Sequence, residues 1–269
     1  MIIIGEKING AIPAVAAAIS ARDAEFIRQR AVDQDAAGAD FIDCAPSTAT
    51  DLEYDAMNWL IDNIQAVTDK PLCLDSPNVK LLARLLEEGR ANRPGMINSV
   101  NEEGDKCEVI FPMVAGTDWN VIGLTCDQDG IPTDTSKKVE IAKSMIDKAD
   151  RYGVALGNLH IDPCVMSLPT MPTAMVDLAD CIRLIHEYAP EVKVTAALSN
   201  ISFDMPLRKY VNMGCMAYAV QAGIDSAIID PCNADIIGIM YASDVLCGRD
   251  KGGRKYNRAY RAGKIGNKK

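Results

Sequence analysis

The run "KVTAALSN", residues 193–200, is small and mostly apolar, then breaks into Ser199-Asn200, with Ile201-Ser202 behind it. A continuous apolar run of this length suits a strand buried on both faces. The same form recurs along the chain. "MIIIGEKIN" (1–9), "DFIDCAP" (40–46), "PLCLDS" (71–76), "GMINSV" (95–100), "NVIGLTC" (120–126), "LGNLHIDP" (156–163) and "SAIIDPC" (226–232) are each short, apolar and polar at the end. With residues 193–200 they make eight candidate strands.

Segments with helical spacing separate them: 23–38, 54–68, 78–89, 137–153, 174–190, 210–223 and 234–248. The helix expected near 102–116 is weaker, because Pro112 interrupts it. Several of these segments stop at a glycine, as a left-handed cap requires: Gly38, Gly89, Gly153, Gly223 and Gly248. Strand alternating with helix, with apolar strands, means a parallel sheet covered by helices. Eight such units in 269 residues fit one α/β domain, a closed (β/α)8 barrel. An open doubly wound sheet usually carries a Gly-x-Gly-x-x-Gly turn after its first strand, and none occurs here.

In a barrel, reactive groups collect at the C-terminal ends of the strands. Read in order, those ends are Glu6-Lys7-Ile8-Asn9, Asp43-Cys44-Ala45, Asp75-Ser76, Asn98-Ser99, Thr125-Cys126, Asp162-Pro163, Ser199-Asn200-Ile201-Ser202 and Asp230-Pro231. One or two would be ordinary helix caps. Eight around one rim make a polar ring over an apolar barrel, which reads as a binding site. The ring is rich in Asp and Asn and poor in His. His160 shares the inward face of its strand with Asp162 and reads as a packing or orienting residue; His186 falls in a helix and reads as surface. A carboxylate accepts two parallel hydrogen bonds from an amidine-like edge, and an Asn amide supplies a donor and an acceptor. Together they suit the 2-amino-4-oxo edge of a pterin.

Composition narrows the rest. Apolar residues make up 48% of the chain and charged residues 24%, which supports a large core. A formal net charge of −9 argues against nucleic acid as the main partner. No apolar run is long enough to span a membrane, and the N-terminus lacks the features of a signal peptide. Nine cysteines, an odd number without Cys-x-x-Cys spacing, suit free thiols in a reducing cytoplasm, and such free use of Cys suits an anaerobe. Residues 1–248 hold the barrel pattern. Residues 249–269 carry nine Lys or Arg and one Asp. This tail reads as solvated and partly disordered, or else as an electrostatic contact with an acidic partner or a neighbouring subunit.

The chain resembles the methyltetrahydrofolate:corrinoid methyltransferases. The resemblance rests on "IIIGEKING" at the start, "LCLDS" at 72–76, "GMINS" at 95–99, "IGLTCDQDGIP" at 122–132, "IDP" at 161–163 and "LSNIS" at 198–202, in family order and over residues 1 to about 247. It implies that Asp75 and Asp162 meet the pterin edge, that Asn98 completes recognition, and that Asn200 faces the methyl-bearing nitrogen as the catalytic amide. It implies that Arg208 lies near the folate or corrinoid mouth, with Ser202 beside Asn200. Asp43 matches a strand-end Asp, but where the family often has an Asn two residues on, this chain has Ala45. The expected reaction moves a methyl group between N5 of tetrahydrofolate and the cobalt of a corrinoid, in either direction, with no metal bound by this chain. Asn200 would donate a hydrogen bond to N5 as its charge changes. No part of the chain is spare to carry cobalamin, so a separate corrinoid protein is the expected partner, and family members are commonly homodimers. The alternatives are a dihydropteroate-synthase-like enzyme, whose phosphate-handling motifs are not found here, and a folate-binding protein without turnover. A zinc-dependent corrinoid methyltransferase would need a His-x-Cys pair, but "HIDPC" has Asp in that place.

Overall fold

A computed structural model describes residues 1–266. Eight strands alternate with helices along the chain: β1 (Ile2–Gly5), α1 (Pro13–Ala21), α2 (Ala24–Ala37), β2 (Phe41–Cys44), α3 (Thr50–Gln65), β3 (Leu72–Asp75), α4 (Val79–Glu87), β4 (Met96–Glu102), α5 (Lys106–Val114), β5 (Asn120–Asp127), α6 (Thr135–Tyr152), β6 (Leu159–Asp162), α7 (Ala174–Tyr188), β7 (Lys193–Val194), α8 (Arg208–Ala222), β8 (Ser226–Ile229), α9 (Ala234–Leu246) and α10 (Arg254–Arg261). The strands are parallel, in the order β7-β6-β5-β4-β3-β2-β1-β8. The ring closes between β7 and β8. Asp225 N donates to Val194 O at 3.1 Å, Ile228 N donates to Ala196 O at 3.0 Å, and Ala197 bridges Ile228. This is the expected (β/α)8 barrel.

Its interior is layered by the period-2 alternation of strand side chains. Ile4, Cys73, Met96 and Ile122 form a buried cluster inside the ring, with Phe41, Leu124 and Ile228 against it. Moving two residues toward the C-terminal end of β1 to β4 replaces Ile4, Phe41, Cys73 and Met96 by Glu6, Asp43, Asp75 and Asn98. On β6 the same step leads from buried His160 to Asp162. One layer therefore fills the barrel with apolar bulk, and the next presents acids and an amide to the rim. The main core lies outside the ring, between strands and helices.

Four expectations are corrected. The run 193–200 is not a strand throughout: β7 has two residues, and Leu198–Ser202 winds into a 3-10 turn. α1 had no counterpart in the sequence reading. Its Pro13 sits in the first turn, where a missing N–H costs nothing, but its Ala-rich sequence shows little helical patterning. α5 forms despite Pro112, which falls in its last turn. The basic segment after residue 248, expected to be partly disordered, builds α10 and buries Ala259 and Ile265; Asn267, Lys268 and Lys269 lie outside the described residues. The five capping glycines all take positive φ, from 60° at Gly89 to 112° at Gly223. Among the described residues, no helix is long and apolar enough to cross a membrane.

Candidate active site

The C-terminal rim opens into a cavity of about 710 Å³. Of the residues singled out from the sequence, Asp43, Asp75, Asn98, Asp162, Asn200 and Arg208 line it. Strand register brings several together. Asp43 pairs with Cys73, Asp75 with Asn98, and Leu124 with Asp162, so neighbouring side chains stand at one height around the wall. Ser202 stands apart: it is the fully buried last residue of the 3-10 turn and does not line the cavity.

Burial dominates the electrostatics. It pushes the Asp75 carboxyl up to about 7, with help from the Glu53 charge. Glu53 is itself buried in α3 and accepts from Ser76 Oγ at 2.6 Å. Burial also raises Asp162 to about 6, against the Cys164 N–H and the Lys138 charge, which favour its anion. That N–H donates to Asp162 Oδ1 at 2.8 Å. Asp43 is raised well above the ordinary range, by burial and then by the Asp75 charge, although the Cys73 thiol and the Asn9 amide donate to it. Its Oδ1 is buried without a partner among the described residues. Buried acids short of donors make a wall that a ligand rich in N–H groups would satisfy.

Asn200 sits on the 3-10 turn rather than at a strand end. Among the described residues, nothing hydrogen-bonds to its side chain, and it caps no helix: Asn200 N turns back to Ala197 O at 3.1 Å, and α8 begins at Arg208 without a side-chain cap. The turn is clasped by Arg208. Its Nε donates to Ser202 Oγ at 2.9 Å, its Nη2 donates to Ser199 O at 2.8 Å, and its guanidinium lies 4.8 Å from the centre of the Phe203 ring. Ser202 therefore anchors the turn at its end.

Glu6, Asn9, Leu124, Phe203 and Ile228 also line the cavity. Glu6 and Asn9 belonged to the polar ring read from the sequence but were not carried into the site. Glu6 is raised to about 7 by burial and by Asp230, with Lys7 and Arg208 opposing. Leu124 and Ile228 carried no sequence signal, because an aliphatic residue in a barrel strand reads as core. His160 lies deeper. Its Nδ1 is 2.7 Å from Ser226 Oγ and its Nε2 is 3.2 Å from Asn120 Oδ1, and burial lowers it to about 3. It is a neutral, orienting residue below the acids.

Comparison with known proteins agrees with this geometry. The pterin binding enzyme family matches residues 14–230. A methylcorrinoid:tetrahydrofolate methyltransferase of Eubacterium limosum is 42% identical, over 99% of this chain and 98% of its own. A methionine synthase of Mycobacterium leprae (strain TN) is 31% identical over 85% of this chain, which spans 20% of that longer protein. Among solved structures, a dihydropteroate synthase from Xanthomonas albilineans in complex with 7,8-dihydropteroate superposes with a TM-score of 0.63. It is 18% identical, with 91% of this chain and 92% of that one covered, so the likeness is one of fold.

Proposed function

Because the chain belongs to the pterin-binding enzymes, we propose that it transfers a methyl group between the cobalt of a methylcorrinoid and N5 of tetrahydrofolate. The full-length match to the Eubacterium limosum methyltransferase carries the reading, and its name supports the direction from corrinoid to folate. In the proposed site, Asp75, Asp162 and Asn98 hold the 2-amino-4-oxo edge of the pterin, and Asp43 backs them at the cavity floor. Each carboxylate accepts donors that its burial otherwise denies it. Asn200 faces N5. An amide has both a donor and an acceptor, so it can hold N5 with or without its proton as charge develops there. Arg208 and Ser202 fix the turn on which that amide rides. The corrinoid supplies the transferable methyl group when a separate protein presents it at the mouth. Exposed Phe203 and Leu207 offer that protein an apolar edge beside Asn200. The reading extends to a homodimer in a reducing cytoplasm: Tyr210 and Tyr218 are exposed on α8, and all nine cysteines are free.

The test is anaerobic mixing of the protein with tetrahydrofolate and methylcobalamin, followed by cobalt absorbance. Wild type should demethylate the cobalamin. Asn200→Ala should lower kcat about 100-fold, the order seen when one preorganised hydrogen-bonding group is removed, and should change folate affinity far less. Intact folate binding without transfer, from free methylcobalamin and from a methylated corrinoid protein alike, would leave a non-catalytic folate binder and overturn the proposal.

A further inference from the structure

Two thiols at the rim have no part in the proposed reaction. Leu124 and Asp162 are register partners on β5 and β6. Two residues further on in each chain stand Cys126 and Cys164. Neighbouring strands run about 4.8 Å apart, and disulfide-bonded residues usually have Cα atoms about 4.4–6.8 Å apart. Cys126 is still on β5, and Cys164 lies just past the end of β6, so the two thiols stand at neighbouring strand ends. The two sulfurs are close enough to shift each other's ionisation, and the Cys126 sulfur accepts from Asn101 Nδ2 at 3.1 Å. Cys126 is nearly buried, whereas Cys164 is partly open. No third ligand completes a metal site with them among the described residues.

The pair also touches the folate wall. Cys164 has a left-handed backbone, φ 55°, a conformation that a side chain rarely adopts. Its N–H holds Asp162 Oδ1 at 2.8 Å, and its Sγ rests 3.6 Å from Asp162 O. Any change at Cys164 therefore reaches the Asp162 carboxylate through that N–H.

We propose that Cys126 and Cys164 form a redox-active dithiol site that closes to a disulfide by exchange with a low-molecular-weight disulfide, and that closure weakens folate binding through Asp162. The Cys126 thiolate attacks one sulfur of oxidised glutathione, forming a mixed disulfide and expelling one glutathione thiolate. Cys164 then attacks the Cys126 sulfur, expels the second glutathione and gives its proton to solvent. Two protein thiols are oxidised, and one small disulfide is reduced to two thiols. Cys126 suits the attacking role: the neighbouring Cys164 thiol, with burial opposing and Asn101 adding, brings it to about 7. The same contact and burial push Cys164 up, so it stays a thiol until the mixed disulfide forms.

The test is to incubate the reduced protein with oxidised glutathione, map its disulfides by peptide mass spectrometry and measure tetrahydrofolate binding by calorimetry. A Cys126–Cys164 cross-link should appear, with folate affinity at least about tenfold weaker, the factor set by one charge-assisted hydrogen bond. Dithiothreitol should restore the affinity. Cys126→Ser and Cys126→Ala should keep theirs through the same treatment. Glutathione mixed disulfides at Cys232 or Cys247 without that cross-link, or an equal loss of affinity in both Cys126 variants, would overturn the site. Reduced protein that does not bind folate would count against the proposed function, while the peptide map would still decide the dithiol.

Discussion

Asp162 is covered by protein, and its carboxyl lies at about 6 instead of the usual value near 4. Asp75 and Glu6 lie higher, at about 7. All three therefore bind protons more tightly folded than unfolded. Between about pH 4 and pH 7 the folded chain holds more protons, so stability is greatest at the acid end of that window and falls as pH rises through 6 and 7. Asp162 alone accounts for about 3 kcal/mol of that fall. Thermal melts of the ligand-free protein should show Tm declining from pH 5 to pH 8, with a smaller decline in Asp162→Asn; a flat or rising profile would contradict the assignment. Folate affinity should run the other way, strengthening through the same window as the carboxylates ionise and accept the pterin donors. These acids were legible in the sequence, because each interrupts an apolar run at its C-terminal end. Their raised values were not: they depend on burial among neighbouring strands and, at Asp75, on the Glu53 charge from α3, which no local pattern reveals.

Between elements, α6 and α7 are joined by a buried ion pair. Lys138 Nζ lies 2.5 Å from Asp177 Oδ2, both side chains are almost wholly buried, and Thr135 Oγ1 also donates to Asp177 at 2.6 Å. Removing one partner strands the other charge in the core. Lys138→Met should cost about 3–5 kcal/mol, read from urea denaturation. Lys138→Met with Asp177→Leu should recover most of that loss. The Lys138 charge also favours the Asp162 anion, so the double variant should need a higher pH to reach full folate affinity. Elements with a clear apolar stripe, such as α4 and α6, were found from spacing alone. α1 and α10 escaped for opposite reasons. α1 is apolar on most sides, while α10 is polar apart from Ala259. The run at 193–200 misled because Thr195, Ala196 and Ala197 suit a strand, yet only Lys193 and Val194 belong to one.

For the whole molecule, the two ends of the barrel divide the work. The cavity occupies the C-terminal rim. The basic segment lies at the other end, where Arg249 and Lys255 stand beside Met1, Ile224 and Asp225. Asp250 accepts from the N–H groups of Lys255 and Tyr256 and so starts α10. Ile265 packs near Gly238 of α9, and the Lys264 ammonium reaches Gly38 at the end of α2, where helix carbonyls favour a cation. The segment thus ties α9 to α2. Truncation after Gly248 should lower Tm by about 5 °C or more, given the burial of Ile265, while folate affinity and methyl transfer stay unchanged. A loss of transfer with Tm intact would instead place the segment in partner recognition. The sequence showed the charge of this stretch but not its position, because two buried apolar side chains among so many cations leave no period to read.

Stiffness is unevenly distributed around the ring. β4 and β5 run for seven and eight residues, but β7 gives only two, and the chain beyond it is held by scattered backbone bonds, a 3-10 turn and the Arg208 clasp. Asp43, Asp75 and Asp162 therefore stand on paired strands, while Asn200 rides on the wall where strand pairing is shortest. In the proposed reaction, which admits a folate and then a bulky corrin-bearing surface through the same mouth, a shortly paired seam would let the amide follow N5 while the acids on the other strands stay in place.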